Sequence, residues 1–468
     1  MSDCDLTPDR LRDHAGPLLL VPDAVLAPDG PWEGHAAVVA GGVFRAVGPA
    51  GKLEREHPHL TPLRLPGHLL LPGFVDAHHH LTQSFGAALA FGEPSEIFRR
   101  VWVPLEGALD EEAVYVAAKL AALESLRGGF TTVAEAGTRA PVDVELVAAA
   151  TRDAGIRCVL GLICNDDNDG DGTGDTGAML AEAEKHLARY AGEELVHPSL
   201  AVSVPEAATD RLLTRTARMA AEAGAIVQMH VNEHLAAVER SLVRHGLRPL
   251  EYLHRLGALG PQLLAAHATL LTPREVGLLA STGAAVSYNP VASAWKGNAV
   301  APATTLAERG VRFGLGTDGT RGDAFRLADA AEFAQRIAYG LATGDSSCGG
   351  GWTWLDRGSR GGADAVGLGA RTGRIAEGAA ADFLLVDATA PETALSADLP
   401  WELVRRANRD QIRAVFTAGR LRLWQGWPVD WDGPALVARA AELAREVRLR
   451  APVVRAHPVS ADAWAVRP

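Results

Sequence analysis

Residues of the types that hold metal ions recur at the ends of short apolar runs. The first run closes in Pro72-Gly73-Phe74-Val75-Asp76-Ala77-His78-His79-His80. Residues i and i+2 of a strand share a face, so His78 and His80 can reach one ion while His79 turns the other way. A lone H-x-H is weak evidence, because histidines are common in cores and on surfaces, but three other runs end in kind. Met229-His230-Val231-Asn232-Glu233 closes one, Ala265-Ala266-His267-Ala268 a second, and Leu315-Gly316-Thr317-Asp318 the last. Active sites of parallel barrels form at the carboxyl ends of strands, where His78, His80, His230, His267 and Asp318 would converge. Neutral imidazoles with a carboxylate suit one borderline divalent cation, Zn²⁺ first, with Fe²⁺ and Mn²⁺ as alternatives.

Such convergence needs many strands. Runs that read as strands are Leu69–Asp76, Phe130–Glu135, Ile156–Leu162, Leu200–Ser203, Ile226–His230, Leu263–His267, Ala284–Ser287 and Val311–Gly316. Between them lie helical patterns such as Asp110–Arg127, Val142–Ala154, Ala178–Tyr190, Asp210–Ala223 and Ala324–Leu341. Thr272-Pro273-Arg274-Glu275 is a capping box with proline at the first helical position, and Gly128, Gly155, Gly224 and Gly283 stand where helices should stop. About eight strand–helix units is the arithmetic of a closed (β/α)8 barrel. A doubly wound sheet would place a glycine-rich phosphate turn after its first strand, and Asp76–His80 is not one. Both flanks read as short strands between Pro and Gly turns: Leu18–Val21, Ala36–Val39 and Phe44–Val47 before the barrel, Phe383–Val386, Val415–Thr417 and Arg420–Trp424 after it. They can pair into one composite domain. The stretch 344–363, rich in Gly and Ser, reads as a loop or lid, and Ala435–Arg450 as a terminal helix.

Composition narrows the function. The chain has 468 residues, 45 basic against 57 acidic, for a formal charge of −12. The acidic balance argues against nucleic acid or an anionic membrane surface as the main partner. Cys4, Cys158, Cys164 and Cys348 show no C-x-x-C spacing and read as free thiols of a reducing compartment. With no basic leader and no apolar run of membrane length, a soluble cytoplasmic protein is expected. Apolar outer helix faces are compatible with a homodimer.

The PGFVDAHHH opening, HVNE at 230–233, AHATLL, GLGTDG and the closing GRIAEGAAADFLLVD at Gly373–Asp387 together resemble the amidohydrolase superfamily. The resemblance is strongest to the branch containing guanine deaminase, S-adenosylhomocysteine deaminase and triazine chlorohydrolase. It implies an α/β fold: a distorted (β/α)8 TIM barrel over 68–370, a small β-sandwich from 1–67 and 371–432, and a C-terminal helix and tail over 433–468. Carried onto matching positions, it implies His78, His80, His230 and Asp318 as metal ligands, with Glu233 and His267 handling protons. The superfamily's binuclear members bridge two ions with a lysine near the end of the fourth strand. The only lysines here are Lys52, Lys119, Lys185 and Lys296, none within Leu195–Ala208, so a single ion is expected.

Chemistry follows from charge. A divalent ion lowers the pKa of its water to about 7 and so provides hydroxide at neutral pH. Asp318 can accept the water proton, Glu233 can protonate a ring nitrogen and then the leaving group, and His267 can stabilise developing charge. The expected reaction is hydrolytic attack on an sp² carbon of an amino-substituted purine, pterin, pyrimidine or triazine, with release of ammonia. Hydrolysis of a cyclic amide or a carbon–chlorine bond uses the same nucleophile and is the alternative. A non-catalytic binding relative is the other, although such a protein would be expected to lose ligands.

Substrate contacts are expected from Gln83, Trp102, Asn289 and Arg321. Gln83 can face a ring nitrogen or bond to loop backbone; Trp102 can roof the site or simply pack. Asn289–Trp295 and Thr320–Asp323 depart from the family's usual runs, and Arg321 can pair with a substrate anion or with solvent. His230–His234 spells H-x-x-E-H, but that zinc-protease signature needs a helix, and a β-like run precedes His230. Asp167–Gly172 opens like a calcium loop and lacks the closing glutamate, so it reads as an acidic loop over the barrel mouth.

Overall fold

The protein is described by a computed structural model over residues 7–12, 16–93, 97–167, 174–345 and 347–456. Most of the acidic loop expected over Asp167–Gly172, and Cys4, lie outside the described residues.

Eight parallel strands follow one another in sequence order around a barrel. They are β1 (Phe74–His79), β2 (Phe130–Glu135), β3 (Arg157–Ile163), β4 (Val196–Val202), β5 (Val227–Val231), β6 (Leu263–His267), β7 (Ala285–Tyr288) and β8 (Arg312–Leu315). Nearly all their residues are buried, as strands covered on both faces must be. Helices joining them start and stop where local chemistry dictates. Asp110 caps Glu111–Arg127 by accepting from the Ala113 amide, and Thr272 and Glu275 form the reciprocal capping box. Gly155, Gly224 and Gly283 end their helices in the left-handed conformation, whereas Gly128 stays right-handed.

The ring is not closed by a ladder between β8 and β1. Hydrogen bonds from residues just past the end of β8 join them instead: the Thr317 amide donates to Asp76 Oδ1 at 2.9 Å, and the Asp318 amide to the His78 carbonyl at 2.9 Å. This is the distortion of the barrel, and it falls on the metal-type residues.

The flanks form a nine-stranded mixed sheet. Pro62–Pro72 lies at its centre, parallel to Leu18–Ala27 and antiparallel to Phe383–Asp387, so both ends of the chain share one ladder. A bridge between Val43 and Ala380 curls the sheet over a core of Leu20, Phe44, Phe383 and Phe416.

Two expectations are corrected. The run Leu69–Asp76 is two strands that break at Gly73: Leu69–Pro72 belongs to the mixed sheet and only Phe74 onward enters the barrel. The stretch 344–363 is not a lid. It carries the helices Gly351–Gly358 and Arg360–Ala365, and Ala363, Ala365 and Val366 pack with Val75, Val159, Ile226 and Leu264 inside the amino end of the barrel. Glycines permit this plug: a Cβ on Gly314 of β8 would come 2.6 Å from the Gly362 Cα. The helix expected over Ala324–Leu341 runs to Gln335 and continues as a π-turn over Arg336–Gly340. Among the described residues, no helix is long and apolar enough to cross a membrane. Cys158, Cys164 and Cys348 are buried free thiols.

Candidate metal centre and active site

At the carboxyl mouth, strands from opposite sides of the barrel bring imidazoles into contact. His78 and His80 leave the end of β1, with ring centroids 4.9 Å apart. His230, on β5, lies 4.8 Å from the His78 ring and stacks on His80 at 5.3 Å. His267 ends β6 and lies 5.4 Å from the rings of both His78 and His230. Asp318 follows β8, its Oδ1 standing 3.5 Å from His78 Nε2 and 3.6 Å from His80 Nε2. His267 at φ 71° and Asp318 at φ 51° hold left-handed backbone that non-glycine residues avoid, so the strand ends are bent to aim these side chains. His79 turns outward as its spacing requires, its Nδ1 at 3.0 Å from Asp76 Oδ2 and 2.8 Å from Thr317 Oγ1.

Electrostatics at this mouth oppose protonated histidines. Burial, then neighbouring His78, push His230 down to about 3, and burial pushes His267 down to about 4. His80 is held well below its ordinary value by the same two causes as His230. Burial alone would raise the carboxylic acids, yet the Lys296 ammonium and the imidazoles around them reverse it. Lys296 and His78 hold Asp318 well below the usual carboxylate range, and His267 and Lys296 do the same for Glu233. Neutral imidazoles beside an ionised carboxylate are the protonation states that a divalent cation requires.

Orientation is set one layer out. His230 Nδ1 donates to the Ser203 carbonyl at 2.8 Å, which turns Nε2 toward His80 Nε2 at 3.2 Å. Asn289 donates to His267 Nδ1 at 3.2 Å and accepts from Ser287 Oγ at 2.7 Å. His267 therefore carries its proton on Nε2, facing Glu233 Oε1 at 3.6 Å and Asp318 Oδ2 at 3.9 Å. Among the described residues, His78 Nε2 and His267 Nε2 are buried without a hydrogen-bond partner, a cost accepted where another ligand is expected. Among the described residues, two groups have ligand atoms all within 4.8 Å of one another, His78 with His230 and His267, and His78 with His80 and Asp318.

A cavity of about 910 Å³ opens above this cluster, walled in part by His80, His230, Glu233 and Asp318. Gln83, in the turn Leu81–Gly86, and Trp102 line the same cavity. Asn289 and Arg321 do not. Asn289 is fully buried behind His267, where it orients the ring, and Arg321 is exposed on the loop after β8, away from the cavity wall. His230–His234 is not a protease helix, since His230 is on a strand and His234, in extended backbone, only precedes the helix Leu235–His245.

Three lining residues escape sequence reasoning. Arg139 lies past the end of β2, bonded to Glu106 and Ser203 at 3.1 Å each and packed under the Phe98 ring. Asn165 lies past the end of β3 and donates to Ser203 Oγ at 2.9 Å. Lys296 reaches in from the end of the short helix Pro290–Trp295. The first two occupy strand-end positions, a signal that barrel geometry makes available.

The wall carrying Ile97, Phe98 and Trp102 is backed by the C-terminal segment. The Val454 amide donates to the Arg100 carbonyl at 2.9 Å, and Val453 packs against the cluster of Ile97, Val101 and Trp102. Buried Glu93 accepts from Arg455 at 3.0 Å, from the Ala456 amide at 2.7 Å and from Arg100 at 2.7 Å.

Comparison with known proteins agrees with this geometry. Residues 69–422 match the sequence model of the amidohydrolase family. A 5-methylthioadenosine/S-adenosylhomocysteine deaminase of Syntrophobacter fumaroxidans is 30% identical, over 92% of this chain and 98% of that protein. The crystal structure of a zinc-bound adenosine deaminase from Xanthomonas campestris superposes with a TM-score of 0.84 at 28% identity, covering 92% of this chain and 98% of the other. A zinc-containing atrazine chlorohydrolase from Arthrobacter aurescens shares the fold, with a TM-score of 0.79 at 21% identity over 91% of this chain and all of the other.

Proposed function

The chain belongs to the amidohydrolase family, and on that premise we propose that it is a zinc-dependent hydrolytic deaminase of an adenosine-type nucleoside. The observation that carries the reading is the meeting of four imidazoles and an ionised Asp318, with Glu233 beside them, at the floor of the cavity.

The residues fit one divalent ion. His78, His80, His230 and Asp318 would hold it, since their ligand atoms face one another and His78 Nε2 finds no hydrogen-bond partner among the described residues. Bound there, the ion supplies Lewis acidity that makes a water acidic enough to attack at neutral pH. Glu233, ionised and largely buried, takes one proton of the attacking water at Oε1 and gives it to a ring nitrogen, then carries the second, from the added hydroxyl, to the amine, which departs as ammonia. His267, fixed by Asn289 with its Nε2 proton facing the two carboxylates, steadies negative charge on the attacked centre. Gln83 and Trp102 would border the ring, and a cavity of about 910 Å³ has volume for the sugar and its 5′ substituent as well.

The test is ammonia release by zinc-loaded protein offered adenosine, 5′-deoxyadenosine, 5-methylthioadenosine and S-adenosylhomocysteine, with a chelated control. Metal-dependent ammonia from at least one is expected. Silence on all four, with chloride released from a chlorinated triazine, would replace this reading by dechlorination.

A further inference from the structure

Asp318 divides its two oxygens between opposite partners. Oδ1 faces His78 and His80, whereas Oδ2 is 2.7 Å from Lys296 Nζ. The same ammonium donates to Glu233 Oε1 at 3.0 Å, and its side chain is only 10% exposed. One cation thus stands between the two carboxylates of the mouth. It arrives from the carboxyl end of the short helix Pro290–Trp295.

Resting on the reading above, we propose that Lys296 is a positioning residue, whose ammonium occupies Asp318 Oδ2 so that Asp318 offers one oxygen to the histidines and Glu233 is held beside it. A carboxylate free to rotate can present either or both oxygens to a cation, and a hydrogen-bonded ammonium on the distal oxygen removes that choice. The arrangement also separates Glu233 from Asp318, two buried anions that would otherwise repel each other. It carries a cost for metal binding, because a positive charge touching one oxygen of a ligand opposes a divalent cation at the other. Lys296 therefore weakens the hold on the ion while fixing the proton-handling geometry.

The experiment uses the full chain with Lys296→Met and Lys296→Arg, read by zinc affinity in competition with a chromogenic chelator and by steady-state ammonia release. Lys296→Met is expected to bind zinc about tenfold more tightly, because a neighbouring positive charge is gone. Its kcat is expected to fall by about 10–100-fold with KM changed less than about threefold, as for loss of an orienting partner. Lys296→Arg keeps the charge and should stay within about threefold of the parent in zinc affinity while recovering part of kcat. Zinc affinity in Lys296→Met that is unchanged or weaker, or kcat equal to the parent, would overturn the proposal. Failure of the deaminase reading looks different: the parent protein itself would bind zinc and release no ammonia, while the zinc comparison between variants would still decide the role of Lys296.

Discussion

At the scale of single residues, the site separates groups that meet the metal from groups that move or aim protons. Glu233→Gln keeps the shape and removes the titrating oxygen, so zinc content should stay at the parent's value while kcat falls about 10²–10⁴-fold. Metal analysis and ammonia assays on one preparation check both halves. Asn289 gives a subtler case, because it touches His267 and lies behind the cavity wall. Asn289→Ala lets the imidazole choose either tautomer; kcat should drop about 10–100-fold with zinc retained and KM little changed. The histidines and Asp318 were legible in the sequence because spacing on a strand decides which side chains share a face. The place of Asn289 was not. An asparagine after a strand end looks the same whether it faces a ligand or braces a histidine, and only the partner 22 residues earlier distinguishes the two.

At the scale of elements, alternation of strand and helix made the barrel readable, since buried parallel strands leave compact apolar runs and their helices carry caps. Two elements hid for physical reasons. Gly73 interrupts a run whose hydrophobicity does not change, so one apparent strand spans two sheets. The plug helices hid because glycine reads as loop, although at Gly361 and Gly362 the absence of a side chain is what allows backbone to lie against β8 and β1. That contact predicts the cost of filling it. Gly314→Ala would set a Cβ 2.6 Å from the Gly362 Cα, and backbone on both sides cannot move aside as a flexible side chain could. A loss of about 1–3 kcal/mol in stability is expected, visible as a lower Tm or urea midpoint. An unchanged midpoint would mean that the plug is loosely seated.

At the scale of the whole molecule, barrel and mixed sheet are tied by a buried ion pair. Asp382 accepts from Arg157 Nε at 3.0 Å and Nη2 at 3.1 Å, from Thr372 Oγ1 at 2.7 Å and from the Ala418 amide at 2.7 Å. Asp382→Ala would strand the guanidinium, and calorimetry or urea unfolding should show a loss of about 3–5 kcal/mol. His197 stands 3.2 Å from the same arginine. Burial and that guanidinium push its pKa down to about 3, against an ordinary 6.5. The unfolded chain therefore takes up the proton first, so this contribution to stability is whole above about pH 6.5 and drains away toward pH 3. His197→Gln should flatten the fall in urea midpoint across that interval, and an unaltered slope would assign the acid sensitivity elsewhere. The segment Val453–Ala456, laced to Glu93 and Arg100 behind the cavity wall, bears on how the protein should be handled at the bench. A mechanical load applied at Arg455 is carried into the contacts that back Trp102, whereas one applied at Leu11 is carried into the core of the mixed sheet. Immobilised through position 11 the enzyme should keep its native KM, and immobilised through position 455 it should not.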